Sequence, residues 1–596
     1  MVSFFVISPE MAIFTKNADA MKRILVIVLA ILLAFPTFAQ KIKVACVGDS
    51  ITYGMTIADR EHDSYPAQLQ ALLGDGYEVG NFGKSGATLL RRGHRPYMEQ
   101  AEYRAALSFA GDIVVIHLGI NDTDPRDWPV CGADFVKDYK ALVEALREVN
   151  PGAQFYIARM TPLGAGHPRL LTGNIPYHRH IQHAIETVAR ETGAQLIDFY
   201  EPLIARPDLL PDSVHPNAEG AEILAKTVYS AITGDFSGLR VSPYYSDNMV
   251  LPRDKRFTIC GTANAGEKVS VRIGCKKYTA KTGPDGRWSV EVGPMKATES
   301  TILRIETRGR QLRFDNVAIG ELWLCSGQSN MEFELRQCSD PEGSPDPLLR
   351  LYDSKCRWRT DAVAWPADAL DATDRLQHFQ HAQWERATAE NEAVFSAVGY
   401  WFGKTLRDSL GVPVGLICNA IGGSPVEAWI DRTTLEDGFP EILPDWWNNE
   451  LIMPWVRQRA AQNLSGANRR PPYQPAYLFD AAIRPMEQFP ISGVIWYQGE
   501  SNAHNVEAFE CLFPLLVDSW RGFFGDVPFY YAQLSYMERP LWPEFRAAQE
   551  RLVHCRPGLG MVVTYDLGMA YEVHYPNKRP VGERLAGLEI SRLRSR

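Results

Sequence analysis

Lys41-Ile42-Lys43-Val44-Ala45-Cys46-Val47-Gly48-Asp49-Ser50-Ile51-Thr52 is the stretch from which the fold is read. Residues 42–47 are a largely apolar strand that runs straight into a Gly-Asp-Ser turn. Further apolar strands follow at 77–82, 112–118, 154–159 and 195–199. Helical stretches lie between them; within 137–149, Tyr139, Leu142, Leu146 and Val149 recur at spacings of three and four. Strands alternating with helices through short loops predict a parallel sheet covered by helices on both faces. In such a sheet the functional residues collect at the carboxyl ends of the strands.

Four polar blocks stand at those ends: Gly48-Asp49-Ser50, Asn81-Phe82-Gly83-Lys84-Ser85-Gly86, Gly119-Ile120-Asn121-Asp122 and Asp212-Ser213-Val214-His215. A serine where a strand turns into a helix sets its hydroxyl beside backbone N–H groups that can bind an oxyanion. That hydroxyl is a weak nucleophile until an imidazole takes its proton, and the imidazole needs a carboxylate to set its tautomer. Together the blocks resemble the SGNH (GDSL-type) hydrolase family across residues 41–235. The resemblance implies Ser50 as nucleophile, Gly86 and Asn121 as oxyanion donors beside the Ser50 N–H, His215 as general base and Asp212 as its orienting acid.

The strand–serine pattern returns at Gly320-Glu321-Leu322-Trp323-Leu324-Cys325-Ser326-Gly327-Gln328-Ser329-Asn330-Met331. Residues 239–316, between the two copies, carry short β-branched segments separated by turns such as Gly283-Pro284-Asp285-Gly286, the pattern of a small antiparallel β-sandwich. From 317 onward apolar strands recur at 318–324, 414–419, 493–497, 529–534 and 561–565. Long polar or Trp/Pro-rich stretches separate some of them, notably 444–475, and long loops of this kind form lids or substrate walls. The blocks Asn419-Ala420-Ile421-Gly422-Gly423-Ser424, Gln498-Gly499-Glu500-Ser501-Asn502 and His574-Tyr575-Pro576-Asn577-Lys578 complete the pattern. This region resembles the sialate O-acetylesterase family, which also carries a small β domain before its serine motif. The resemblance implies Ser329 as nucleophile, Gly423 and Asn502 as oxyanion donors, His574 as base, and Gln328, Gln498 and Glu500 as pocket residues. Tyr571 stands three residues before His574, where the first copy has an acid. Glu572 is the nearest carboxylate and Asp566 lies further up, so either a carboxylate from this segment orients His574 or the site is a Ser–His dyad. Trp429, Trp496 and Tyr497 are candidates for stacking on a sugar face and, equally, for the core.

The expected architecture is α/β: two three-layer α/β/α domains with flavodoxin-like parallel sheets, at 41–235 and 317–596, separated by the sandwich at 239–316. A chain of 596 residues is long enough for several cores. Its net charge of −9, without basic runs, excludes the electrostatic footprint of a nucleic-acid binder. Met21-Lys22-Arg23, an apolar run at 24–35 and Thr37-Phe38-Ala39 predict a secretory signal peptide cleaved after Ala39, following an upstream extension at 1–20. The run is too short for a stable membrane span. The destination is then the periplasm or the exterior. The ten cysteines show no metal-ligand spacing, and Cys46, Cys325 and Cys418 read as core residues. Cys260 and Cys275 leave a disulfide open. The chain ends in Ser591-Arg592-Leu593-Arg594-Ser595-Arg596 where longer relatives continue, so the final helix and any C-terminal β element are expected to be missing.

The chemistry implied is acyl transfer without metal or organic cofactor, on an O-acetylated sialic acid. Another acetylated glycan such as xylan, or one catalytic domain paired with a silent glycan-binding one, are the alternatives. A membrane-active lipase is weaker, because no apolar lid helix is evident.

Overall fold

A computed structural model describes residues 41–595 apart from 165–166, 168–174, 359–361 and 465–468. Residues 1–40, where the sequence predicts a signal peptide, lie outside the described residues. The first sheet is built from β1 (Ile42–Gly48), β2 (Tyr77–Gly83), β3 (Ile113–His117), β4 (Gln154–Arg159) and β5 (Gln195–Asp198). Their order is β2-β1-β3-β4-β5, and every pairing is parallel. This is a doubly wound order, whose switch point falls between β1 and β3. β3 is buried along its whole length, as a central strand covered on both faces must be. The helix Phe135–Val149 covers one face with Tyr139, Leu142 and Leu146, and Ala218–Thr233 covers the other with Leu224, Ala225 and Val228.

The second sheet repeats that order. β12 (Gln311–Gly327), β13 (Leu349–Asp353), β15 (Val414–Cys418), β16 (Gly493–Tyr497), β17 (Phe529–Ala532) and β18 (Leu559–Val562) pair in parallel as β13-β15-β12-β16-β17-β18. Setting β12 against β1, β15 against β2 and β16 against β3 superposes the two topologies. The short β14 (Glu385–Arg386) extends the edge in the antiparallel sense.

The small β region comprises β6 (Val250–Pro252), β7 (Phe257–Thr262), β8 (Lys268–Ile273), β9 (Lys276–Lys281), β10 (Arg287–Val292) and β11 (Thr298–Glu306). β7 and β10 form one antiparallel layer, and β9, β8 and β11 another. The border expected at 316/317 falls inside a strand. β12 runs for 17 residues, pairing with β11 through its first half and with β15 and β16 through its second. The sandwich and the second hydrolase sheet therefore share a strand rather than a linker. Cys260 and Cys275 are free thiols, the second of them exposed.

The helix Arg579–Arg594 packs on Ala397–Leu410, with Val581, Gly582, Leu585 and Ala586 buried. Among the described residues no helix is long and apolar enough to cross a membrane. The two α/β units meet through charged contacts. Arg179 donates to both oxygens of Asp437 (2.9 and 3.1 Å), the Tyr200 hydroxyl donates to Glu436 (3.0 Å), and Arg484 donates to Glu201 (2.6 Å).

Candidate active sites

Ser50 opens the short helix Ser50–Tyr53 directly after β1, and the Asp49 carboxylate caps that helix by accepting from the Ile51 N–H (3.0 Å). The loop carrying His215 brings its Nε2 to 2.8 Å from Ser50 Oγ. On the other side of the ring, Nδ1 lies 2.6 Å from Asp212 Oδ2, while Asp212 Oδ1 accepts from the His215 backbone N–H (2.7 Å). One carboxylate thus holds both the ring and the chain that bears it. Burial opposes the Asp212 charge, yet these bonds from His215 outweigh it and keep the carboxyl below its usual range.

Gly86 and Asn121 come from the loops after β2 and β3. Gly86 has φ +77°, a left-handed conformation that favours glycine. Asn121 Nδ2 donates to the Ala87 carbonyl (3.0 Å), leaving the amide its second hydrogen. Behind it, buried Asp122 accepts from the N–H groups of Leu89 and Leu90 (2.9 and 2.8 Å), which pins the Gly86 loop to the β3 turn. Burial pushes its carboxyl up to about 7. Buried His117, at the end of β3, accepts at Nε2 from the Thr161 N–H (3.3 Å), so its Nδ1 carries the proton that faces Asp49 at 3.6 Å.

Ser329 occupies the corresponding place after β12, with His574 Nε2 2.8 Å from its Oγ. The surroundings of the ring differ. Glu572 accepts from the His574 backbone N–H (2.8 Å), and Asp566 is engaged by Arg584 (2.7 and 2.6 Å). Removal from solvent and then the Lys578 ammonium hold the His574 pKa below the ordinary imidazole value, against the upward pull of Glu572. Beneath the loop lies a buried polar chain. Lys578 donates to Asn330 Oδ1, and Asn330 Nδ2 donates to Glu500 and to the Val573 carbonyl (3.1 Å), one residue before His574. Burial pushes the Lys578 amine down to about 7.

Ser329 and His574 open into a cavity of about 810 Å³. Gln328, Gly423 and Glu500 line it. Gln328 Oε1 accepts from the N–H groups of Gly499 and Ser501 (3.3 and 3.2 Å). Gly423 has φ +73°, and a methyl group there would come within 2.9 Å of Trp455.

Two sequence assignments are corrected here. Gln498 is fully buried, donating to Ser424 O (3.3 Å) and Asn502 Oδ1 (2.6 Å), so it supports the loops from behind instead of lining the cavity. Asn502 is buried too, and its amide donates to Glu427 (2.8 Å) while its carbonyl accepts from the Val426 N–H (2.8 Å). The internal register explains why. Lys84 N–H bonds Gly48 O as Ile421 N–H bonds Gly327 O, which aligns Gly86 with Gly423 and Leu89 with Val426. Asn502 therefore matches Asp122, the residue that pins the loop. The counterpart of Asn121 is Ser501, which lines the cavity and donates its hydroxyl hydrogen to Gly423 O (2.8 Å).

The candidate stacking aromatics are core residues. Trp429 and Trp496 are buried with Trp520 in an edge-to-face cluster with centroids 5.5–6.3 Å apart, and Tyr497 is hydrogen-bonded to Tyr575 (2.8 Å). The cavity wall is supplied instead by Trp455 and Tyr473, packed edge to face at 4.7 Å, both from the Trp/Pro-rich stretch at 444–475. Among the described residues no cluster of His, Cys, Asp and Glu is disposed to hold a metal ion.

Comparison with known proteins follows this division. Residues 46–223 match the GDSL-like lipase/acylhydrolase family, and residues 319–439 match the carbohydrate esterase, sialic acid-specific acetylesterase family. A sialate O-acetylesterase of Rattus norvegicus is 31% identical over 342 residues, which are 50% of this chain and 60% of that protein. An acetylxylan esterase of Xylanibacter ruminicola is 38% identical over 209 residues, 32% of this chain and 43% of that protein. The chain thus spans roughly half of these curated relatives' length (60% and 43%). The crystal structure of a carbohydrate acetylesterase from Xanthomonas citri is 30% identical, with a TM-score of 0.46, covering 58% of this chain and 73% of that one. The chain is thus similar to the GDSL-like lipase/acylhydrolase family around Ser50 and to the sialic acid-specific acetylesterase family around Ser329.

Proposed function

We propose that the chain is an exported serine carbohydrate esterase that removes O-acetyl groups from sialic acids, with both Ser50 and Ser329 as nucleophiles. The observation that carries this reading is the pair of serine hydroxyls, each 2.8 Å from an imidazole Nε2 at the carboxyl ends of matching sheets. The similarity to a sialate O-acetylesterase supports the substrate, and the signal-like segment ending at Ala39 supports export.

At each site Oγ attacks the acetyl carbonyl carbon while His215 or His574 takes the hydroxyl proton. The tetrahedral oxyanion is held by the serine's own N–H and by Gly86 or Gly423. Asn121 adds a side-chain donor at the first site. The histidine returns its proton to the sugar oxygen as the C–O bond breaks, leaving an acetyl-serine. Water, deprotonated by the same ring, then releases acetate and restores the serine. A second reading, hydrolysis of acetylated neutral polysaccharide, is favoured by the similarity to an acetylxylan esterase.

The test is acetate release from O-acetylated sialic acid and from acetylated xylan by the Ser50→Ala, Ser329→Ala and doubly substituted proteins. The double variant should lose roughly 10⁴-fold or more of the rate on the true substrate. Undiminished activity in it overturns the serine chemistry. If Ser50→Ala leaves all hydrolysis intact while Ser329→Ala abolishes it, the first domain is a glycan binder or acts on a substrate other than these two.

A further inference from the structure

Residues 239–316, the small β region, hold 15 Lys and Arg against 8 Asp and Glu, a net +7 in a chain whose total is −9. Around β6, β7 and β10 these cations have carboxylate partners. Arg256 pairs with Glu291, Lys296 with Asp254 (2.9 Å), Arg253 with Glu321 (2.8 Å) and Arg287 with Glu487 (2.9 Å). The outward face of the other layer is different. Along β8, Val269, Val271 and Ile273 are buried, so Lys268, Ser270 and Arg272 point away from the core. The antiparallel register sets Lys277 of β9 opposite Arg272, Arg272 opposite Arg304 of β11, and Arg304 opposite Arg313 of β12. Four cations thus stand in one row across four strands, about 14 Å from end to end.

Like charges set directly opposite each other across strands cost stability, and nothing in the packing of this layer requires them. Two residues along lies a polar row, Thr279, Ser270, Glu306 and Gln311, and beyond it Lys281 faces Lys268. Asp315 answers Arg313 with a fork (3.0 and 2.8 Å) and also feels the charge of Arg304. Glu306 accepts from Gln311. Among the described residues no carboxylate forms an ion pair with Lys268, Arg272, Lys277 or Lys281. Because the row is assembled from four strands, it leaves no basic run in the sequence.

A fixed grid of cations with hydroxyl and amide groups between its rows suits a linear chain that carries both spaced anions and hydroxyls. We infer that this face of the sandwich holds a linear acidic polysaccharide, at a site separate from both serine–histidine pairs. The spacing favours that partner. One acidic group per sugar ring recurs on the scale of the strand separation, about 5 Å. Duplex DNA presents a charge every ~1.7 Å, and Glu306 in the polar row opposes so dense a backbone. Single strands are held by exposed aromatic platforms, whereas Tyr278 and Phe314 here pack against the core. A lipid surface is entered by apolar side chains, and among the described residues of 239–316 no large apolar side chain is exposed. The inference stands apart from the serine chemistry and gives the sandwich a task of its own, anchoring the chain to a polymer.

The experiment measures binding of the full chain to polygalacturonate without ester groups, which offers neither serine an acetyl carbonyl. Affinity should fall steeply as salt is raised, and the same polymer amidated at its carboxylates should not bind. Arg272→Gln combined with Lys277→Gln should weaken binding about tenfold or more, and Arg272→Lys combined with Lys277→Arg should keep most of it. Arg256→Gln combined with Lys296→Gln makes the same change in net charge at paired cations and should leave binding as it was. All three variants should match the parent's rate on a small soluble acetate ester. The first should unfold no lower than the parent, since it relieves opposed like charges. Absence of binding by the parent, or equal weakening by the two neutralising variants, overturns the inference. Duplex DNA or vesicles of anionic phospholipid bound as tightly at the same salt overturn the polysaccharide as the partner.

Discussion

The sites at Ser50 and Ser329 are built on the same strand order, with the same turn after the first strand of each doubly wound sheet and the same 2.8 Å serine–imidazole contact. They differ in what stands behind the histidine. At the first site Asp212 touches both Nδ1 and the backbone of His215. At the second, Glu572 reaches only the backbone N–H of His574, and the loop is held from below by the buried Lys578–Asn330–Glu500 chain. They also differ at the third strand's turn, where Asn121 with two amide hydrogens faces Ser501 with a single hydroxyl hydrogen already engaged by Gly423 O. One scaffold thus holds the same pair of groups by two different means.

The largest effect expected from breaking this comparison is at the orienting acid. With Ser329→Ala in the background, Asp212→Asn should lower the first site's kcat by roughly 10⁴-fold, because an amide cannot fix the reactive tautomer. With Ser50→Ala in the background, Glu572→Gln should cost less than about tenfold, since that carboxylate holds chain rather than ring. Equal losses in the two single-site proteins would show that Glu572 swings onto Nδ1 in the working enzyme.

The next effect concerns the oxyanion. Asn121→Ala should cost the first site about 10²–10³-fold in kcat, the usual loss for one oxyanion donor, and Ser501→Ala should cost the second site less than about tenfold. Asn502→Ala should act through stability instead. It strips partners from the Val426 N–H and from buried Glu427, whose carboxyl burial already pushes up to about 7, so thermal unfolding should register a loss of about 2–3 kcal/mol. A loss in kcat without any change in unfolding would return Asn502 to the oxyanion hole.

The smallest effect is in the pH profile of the second site, measured on the Ser50→Ala protein. A general base works when neutral, so a His574 pKa held below its ordinary value extends activity to lower pH. Lys578→Met removes one of the two influences that depress it, and the acid limb should move up. Glu572→Gln removes the opposing influence, and the limb should move down. Movement in the opposite sense for either variant would show that the substituted charge reaches the ring by another route.

The motif blocks were legible because each carries rare polar residues at the end of an apolar strand. The roles of Ser50, Asp212, His215, Ser329 and His574 rest on the resemblances those blocks carry, and the structure sets each serine 2.8 Å from its histidine. Asn502 was misread for a reason found in the register. Counting two residues on from Gly119 reaches Asn121, and the same count from Gly499 reaches Ser501. The resemblance alone points to Asn502 as a donor, whereas the register gives it the loop-pinning place that Asp122 holds in the first copy. The continuity of β12 was hidden because its first half, Gln311–Asn316, is polar and sits on an open layer, while its second half is buried. The large aromatics gave no sign of which face they would take: Trp429 and Trp496 went to the core, and Trp455 to the cavity.

By itself the sequence determined the two copies of the strand–serine pattern and the polar blocks, two of them with a histidine, that stand after the later strands. Those features depend on short-range patterns of apolar and polar residues that survive without any knowledge of packing. The tertiary structure alone decided the cavity, whose lining comes from segments as far apart as Gln328, Trp455, Arg539 and His574. It also decided which carboxylates reach an imidazole and which are engaged elsewhere. Contacts between groups separated by hundreds of residues depend on how loops leave the sheet, and a charge acquires its role only from the partners that packing supplies or withholds.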